Sequence, residues 1–374
     1  MNAPSSIPEL APGIPVGLPR GLQNYWYPVL QSEELPADKP VSFRALGDTL
    51  AAWRDASGRP CVVIDRCPHR AMKLSVGRVM DGELQCILHG LRFDGRGACT
   101  LIPWETERRA VHERVGVRAF PARELGGYIW AYLGDAQKFP PPPLESEVPE
   151  ELLKPEEFVC FRLPTQIWKA NWLLAIDGSD GYHAITLHTV SQSGADIARQ
   201  GGVPLKDRRV KILKTNHGLR GVSVDLEGRE IGHGHFTVDV KGDRFALPCL
   251  TTNPINPAPG AATYASRLWQ FPVDEHATMI VRYLAFRARD AAERAQAQKT
   301  FDTVASQRID KVGEEDGWAV EAQGDLIEAR ANEFLLAPDE DVVKVRRMIA
   351  GAFVDQLKQG RRHPVPPGAL DFPV

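Results

Sequence analysis

The sequence predicts an α+β chain in two parts: an all-β N-terminal domain, then a domain whose antiparallel sheet is covered by helices. Three observations carry this. Between Leu22 and Gly134, short strand-like runs alternate with turn signals. Pro140–Pro143 is a run of four prolines, which neither a helix interior nor a central strand accommodates. Beyond it, strand-like and helix-spaced runs are mixed. The expected organisation is an extended arm over residues 1–20, a β domain over 21–139, a Pro-rich linker over 140–149 and a second domain over 150–374.

Each element has its own signal. In the arm, Pro4, Pro8, Pro12, Pro15 and Pro19 should prevent regular pairing. Val41–Leu46 and Thr49–Trp53 read as a hairpin turning at Gly47-Asp48. Cys61–Ile64, Glu83–Ile87, Leu91–Phe93 and Gly127–Leu133 are the next strands, a set suited to a small sandwich or barrel. In the second half, Trp168 to about His188 reads as a helix or broken helix. Val210–Leu213, Gly221–Val224 and His235–Val240 are strand-like, and Ala265–Phe271 and Met279–Phe286 form a hairpin around Asp274-Glu275. Residues 290–335 are helical in composition, and Asp290–Gln298 suits an exposed helix. Val342, Val345, Met348, Ile349, Phe353 and Leu357 recur at helical spacing, predicting a packed C-terminal helix.

Composition narrows the function. With 374 residues, 43% hydrophobic, 25% charged and a net charge of -3, the chain is ordinary globular protein and not a generally basic nucleic-acid binder. No run approaches the roughly 20 apolar residues of a membrane helix, and Met1 to Pro19 lacks the basic start of a signal peptide. Six cysteines are too sparse for a disulfide scaffold, so a reducing cytoplasm is expected and clustered cysteines read as metal ligands.

Two constellations carry chemistry. Cys67-Pro-His69-Arg70 and Cys86-Ile-Leu-His89-Gly90 are separated by a 16-residue gap between His69 and Cys86. Each offers one thiolate and one imidazole. Tetrahedral zinc and a 2Fe–2S centre with two cysteines on one iron and two histidines on the other both use such a set. Zinc sites usually group like with like; one Cys and one His per loop favours the cluster. Cys61 and Cys99 have no histidine at this spacing and read as core or surface residues. The second constellation is His183 and His188, five apart on a loosened helix, where two imidazoles reach one point. Joined by a carboxylate, they would form the facial triad of non-haem Fe(II) oxygenases, with positions left open for O2. Alone, this spacing more often means two solvent-facing histidines.

The first constellation, with Phe93-Asp94 after it, resembles the Rieske domain of ring-hydroxylating oxygenase α-subunits. The segment Asp180-Gly-Tyr-His183, continuing to His188, resembles the Asp-x-x-His-x-x-x-x-His motif of the same family, and Glu314 to Gln323 resembles its late Asp-bearing helix. The likeness runs from about Leu22 to Gln323 and is nearest the α3 group of carbazole dioxygenase and dicamba monooxygenase. It implies a 2Fe–2S cluster on Cys67, His69, Cys86 and His89, and a mononuclear Fe(II) on His183, His188 and Asp316, with Glu315 and Glu314 as substitutes for Asp316. Asn171 matches a family position close to the iron. The chain has Asp177-Gly178 where the family has Glu-Asn, so no role carries over to Asp177.

The resemblance further implies a terminal oxygenase component. Electrons come from NAD(P)H through a separate reductase, with or without a ferredoxin, and O2 hydroxylates or oxidatively dealkylates a small hydrophobic aromatic or heteroaromatic compound. It implies a homotrimeric ring in which the cluster of one subunit faces the iron of the next, with Asp180 between His183 and the neighbour's His89. The rival reading, a Rieske electron-transfer protein without oxygenase activity, needs only the first domain; a non-catalytic lipid-binding α+β module would lack the paired His and Asp. Arg66, Arg70, Lys73, Arg78, Arg92 and Arg96 flank the cluster loops and suit an acidic electron donor. His233 and His235 read as pocket or edge residues, and His112 and His276 as surface groups.

Overall fold

The computed structural model describes residues 8–105, 110–180, 183, 187–190, 209–215, 218–229, 245–255, 261–336 and 339–359. The chain divides into two compact units. One is Arg20–Glu147 with the residues from Asp355 at the end of the last helix; the other is the segment up to Pro19 with Val148–Val354.

The N-terminal segment departs from expectation. β1 (Glu9–Ala11) pairs antiparallel with β2 (Ile14–Pro15), and Ile14 and Leu18 are buried. Pairing survives the prolines because Pro12 and Gly13 form the turn itself, with Gly13 at φ 74°, and Pro15 ends the ribbon.

Among the described residues, the first unit holds three antiparallel sheets. β3 (Tyr25–Gln31) pairs with β13 (Tyr128–Leu133), which pairs with β12 (Ala122–Leu125). β4 (Val41–Ala45), β5 (Asp48–Arg54), β6 (Pro60–Ile64) and β11 (Ala119–Phe120) form the second. β7 (Arg78–Met80), β8 (Glu83–Gln85), β9 (Arg92–Phe93) and β10 (Cys99–Leu101) form the third. β13 is buried along its whole length, as is β5 from Leu50 to Trp53, which is why these runs are apolar without alternation. The expected strand Glu83–Ile87 stops at Gln85, because Cys86 leaves the ladder and donates its N–H to Leu91 O. Pro140–Pro143 has no regular structure and packs on its own unit: the Trp26 indole donates to Pro142 O at 3.0 Å, and Leu144 is fully buried. His112, expected at the surface, is 6% exposed; its short helix Ala110–Arg114 turns that ring inward.

The second unit is built on the sheet β14 (Phe158–Arg162), β21 (Ala277–Arg287), β20 (Tyr264–Asp274), β19 (Leu250–Ile255), β18 (Phe245–Ala246), with β15 (Gln166–Trp168) also on β21. β20 and β21 are the expected hairpin. A separate hairpin joins β16 (Arg209–Thr215) and β17 (Gly218–Val224). The expected strand His235–Val240 lies outside the described residues, as do His233 and His235. The segment expected to be helical from Trp168 begins as a strand; the helix is Trp172–Asp177, followed by the 3-10 turn Gly178–Asp180 and the short helix Leu187–Val190. Trp168 stays extended because its backbone pairs with Thr278.

One face of the sheet is covered by a continuous helical stretch: Ala291–Thr300, a π-turn at Phe301–Ala305, and Ser306–Glu321, here called the site helix. Asp290 caps the first turn by accepting from Glu293 N. Ala297, Ala305 and Ile309 pack on Leu163, Tyr264, Leu284 and Phe286, and Phe301 stacks on Phe161 at 4.1 Å. On the other face, Glu151 and Arg267 form a buried pair at 2.7 Å, with the Tyr283 hydroxyl donating to the same carboxylate. The C-terminal helix Glu340–Gln359 buries Ile349, Ala352 and Phe353, but Leu357 is 53% exposed, so the apolar stripe ends one turn early.

The site helix lies unusually close to its neighbours at two glycines. A Cβ on Gly317 would sit 2.7 Å from Trp168 Nε1, and one on Gly313 3.0 Å from Arg282 Nη1. Alanine gains about 1 kcal/mol over glycine in a helix interior, but overpacking against a buried indole costs about 1–3 kcal/mol. Gly317→Ala should therefore lower the thermal midpoint. Gly351→Ala, with nothing within 4 Å of its Cβ, should raise it; calorimetric melting of both variants checks the pair of signs.

Candidate metal centres

The two cysteine loops are built alike. Cys67 N donates to Met72 O at 2.8 Å and Ala71 N to Cys67 O at 2.9 Å. Cys86 N donates to Leu91 O at 2.9 Å and Gly90 N to Cys86 O at 3.0 Å. Each loop is closed by a left-handed residue four after its cysteine, Ala71 at φ 57° and Gly90 at φ 76°. For alanine this conformation costs about 1–2 kcal/mol, so the tertiary fold imposes it. Asp65 brackets the first loop: its buried carboxylate accepts from Ser42 Oγ, Ser75 N and Ser75 Oγ at 3.0, 2.7 and 2.6 Å.

The loops bring like with like. Cys67 and Cys86 are each 2% exposed and adjacent, while the His69 and His89 rings lie 4.7 Å apart. Trp104, 54% exposed, stands beside both rings at 5.5 and 6.2 Å. Burial pushes the Cys67 thiol up to about 11, although the backbone N–H groups of His69 and Arg70 point at its sulfur and pull the other way. The sulfurs thus form one pair and the imidazoles another. A single tetrahedral zinc needs all four together, whereas a two-iron cluster needs a sulfur pair and a nitrogen pair; the arrangement fits the cluster. Arg66, Arg70, Lys73, Arg78 and Arg96, which flank the cluster loops in sequence, are exposed, but Arg92 is bound to Asp81 at 2.9 Å and leaves that set.

The second centre lies at the site helix. His183 Nε2 is 3.2 Å and His188 Nε2 3.3 Å from the same oxygen, Asp316 Oδ1. That oxygen is buried, and neither imidazole meets it with hydrogen-bond geometry. Two ligands about 2.1 Å from a metal and at right angles are about 3 Å apart, so both His–Asp spacings suit a shared metal, with all three ligand atoms within 4.8 Å of one another. Burial would raise the Asp316 carboxyl, but the two histidines outweigh it and hold the group well below the usual carboxylate range. Three consecutive acids separate cleanly. Glu314 is exposed, Glu315 Oε2 lies 2.7 Å from His188 Nδ1, and Asp316 faces both Nε2 atoms. A Glu315 carboxylate on Nδ1 turns the lone pair of Nε2 toward the centre.

Asn171 has a different task from the iron-side one expected. It caps the helix Trp172–Asp177 by accepting from Leu173 N at 3.0 Å, and its amide donates to Pro19 O and Glu275 O at 3.1 and 2.8 Å. Asp180 ends the turn Gly178–Asp180; its side chain lies outside the described residues. Asp177 binds Arg330 at 2.6 Å and Arg346 at 2.9 Å. Gln270, fully buried, donates to Ser179 Oγ at 2.9 Å and steadies that turn, with no local sequence signal to reveal it. A cavity of about 320 Å³ opens on His183, His188 and Asp316, with Trp168, Leu187, Leu268, Ile309 and Val320 among its apolar walls.

Residues 25–121 match the Rieske [2Fe-2S] domain, and residues 132–354 match the family described as homotrimeric ring hydroxylase. The chain belongs to the homotrimeric ring hydroxylases. Among this family's curated relatives, the terminal oxygenase component of carbazole 1,9a-dioxygenase from Metapseudomonas resinovorans is 25% identical over 88% of this chain and 90% of its own. The 3-chlorobenzoate-3,4-dioxygenase oxygenase subunit of Comamonas testosteroni is 35% identical over 46% of this chain, and the phthalate 4,5-dioxygenase oxygenase subunit of Pseudomonas putida 28% over 63%. The chain spans 39% and 54% of those two. The ring-hydroxylase fold is shared with the oxygenase–ferredoxin complex of carbazole 1,9a-dioxygenase, at TM-score 0.66, 23% identity, 92% of this chain and 94% of that one. Dicamba monooxygenase bound to dicamba gives 0.64, 22%, 91% and 99%.

Asp65→Ala removes three hydrogen bonds to a buried carboxylate and should lower stability by about 2–3 kcal/mol. The first cluster loop should loosen with it. Visible absorbance during thermal melting checks this: the variant should bleach well before its far-UV signal is lost, and coincident transitions at the wild-type midpoint would show that Asp65 does not hold the loop.

Proposed function

We propose that this chain is the terminal oxygenase component of a multicomponent Rieske oxygenase, hydroxylating or oxidatively dealkylating a hydrophobic aromatic or heteroaromatic compound. The convergence of His183, His188 and Asp316 on the floor of a largely apolar cavity carries the reading. An electron-transfer protein would need only the unit that holds Cys67, His69, Cys86 and His89. In this reading the two thiols hold one iron of the cluster and the two imidazoles the other, while the His–His–Asp face holds mononuclear iron(II). The bound metals supply single electrons and O2 activation, which no side chain of the cavity provides.

The chain's own residues bind and orient. Glu315 fixes the His188 ring, Gln270 steadies the turn before His183, and the apolar walls exclude water from the reacting face. Electrons would come from NAD(P)H through a reductase, directly or by a ferredoxin, docking on the basic rim of Arg66, Arg70, Lys73, Arg78 and Arg96. Assembly as a homotrimer has support from exposed apolar groups on each unit: Ile87, Leu88 and Trp104 near the cluster imidazoles, Trp318 on the site helix and Phe334 after the helix Leu326–Asn332. Asp180, three residues before His183, is the proposed link to His89 of a neighbouring copy. A cytoplasmic location completes the reading; among the described residues no helix is long and apolar enough to cross a membrane.

Purified protein should hold about three irons per chain and, when reduced, give a Rieske-type paramagnetic resonance signal. Asp316→Ala should keep that signal, lose the mononuclear iron and form no product; stoichiometric zinc in a colourless protein would overturn the assignment. Asp180→Asn should keep both metals and the trimer while turnover falls by orders of magnitude, measured in single-turnover and steady-state assays. Near-normal turnover there would remove Asp180 from the electron path and leave the metal sites standing.

A further inference from the structure

We propose that the substrate of this cavity is an aromatic carboxylate, held through its anionic group by Arg282 with Arg308 beside the same space. The inference rests on the oxygenase reading and specifies its substrate class.

Arg282 is a cation in an apolar setting. It lies on β21 opposite Leu268, on the sheet face that also carries Leu284 and Phe286 under the site helix. It is 6% exposed. Its guanidinium donates to Ile309 O at 3.2 Å, Nε has no acceptor, and it makes no ion pair among the described residues. A buried charge without a counter-ion is costly to retain. Burial holds both Arg282 and Arg308 below the usual arginine range, with Asp316 and Asp310 pulling Arg282 back. Both side chains line the cavity. Of the three acids that line it, Asp316 faces the two histidines, Asp177 is held by Arg330 and Arg346, and Asp339 accepts from Leu336 N at 2.6 Å. With iron(II) on the triad, the wall stays positive and an anion balances it.

The site helix supplies a ruler. Arg282 Nη1 lies 3.0 Å from the point a Gly313 Cβ would occupy, so glycine is what lets the guanidinium rest there. Gly313 and Asp316 are three residues apart, about 4.5 Å along the axis. A carboxylate on Arg282 would thus hold one aromatic ring beside the triad. Asn253 and Ser266, paired neighbours on β19 and β20, line the same cavity and offer an amide and a hydroxyl to further ring substituents. About 320 Å³ sits at the small end of ligand cavities and suits one or two rings.

Arg282 also ties the sheet to the site helix through Ile309 O, so the test must read charge and not fold. Benzoate, phthalate and 2-naphthoate, each beside its neutral carboxamide, are titrated by calorimetry into the full-length protein and into Arg282→Gln and Arg282→Lys. In the wild type at least one acid should bind tenfold or more tightly than its amide. Arg282→Gln should erase that preference while amide affinity holds, and Arg282→Lys should keep part of it. A panel in which no acid outbinds its amide overturns the proposal, as does an Arg282→Gln variant that weakens acid and amide in proportion. Iron content and the reduced resonance signal are measured on the same samples. Absent iron means the oxygenase reading fails; three irons without a charge preference means only the carboxylate assignment fails.

Discussion

The close approach of the site helix to the sheet is the constraint on which the second unit depends. Gly313 and Gly317, one turn apart, remove the side chains that would hold the helix away from Arg282 and Trp168. Asp316 and Glu315 stand between and beside them, so the same contact sets where both carboxylates point. The π-turn at Phe301–Ala305 acts with it: an extra residue in the turn re-phases the helix, letting Ala297, Ala305 and Ile309 face the core while Asp316 faces His183 and His188.

Around this contact the polar groups are arranged to hold short, weak elements in place. The helix Trp172–Asp177 that precedes the histidines and the helix Leu187–Val190 that carries His188 are only a few residues long and could not persist alone. Asn171 caps one of them and ties it to two backbone carbonyls. Gln270 holds the following turn through Ser179. Asp177 binds Arg330 and Arg346, and Glu333 binds Arg346 at 2.6 Å, so one carboxylate gathers the end of the Trp172–Asp177 helix, the helix Leu326–Asn332 and the C-terminal helix. That clamp explains an acid at position 177 without any direct part in the chemistry.

The first unit solves a similar problem with a repeated loop. Both cysteine loops close by the same pair of backbone bonds over a left-handed residue, so two hairpin ends present sulfur inward and imidazole outward. The thiols sit where burial protects them, and the imidazoles where Trp104 and the exposed Ile87 and Leu88 surround them. Nothing in Ala71 itself announces a left-handed conformation; the loop closure by Cys67 and Met72 imposes it.

Local patterns in the sequence determined the β runs from Val41 to Leu133, the β20–β21 hairpin, the helices after Asp290, and the ligand-type residues Cys67, His69, Cys86, His89, His183 and His188, because turn residues, period and motif spacing are near-neighbour information. Spacing alone did not choose among Glu314, Glu315 and Asp316, which only the family resemblance ranked with Asp316 first, since successive helix residues point about 100° apart and packing decides which direction meets the histidines. Burial of His112, the strand at Trp168, the pairing of the N-terminal segment and the task of Asn171 likewise came from partners distant in sequence. Arg282 is the clearest case. In the sequence it is one arginine in a strand, and only the sheet register and the closeness of Gly313 place its charge against the cavity wall.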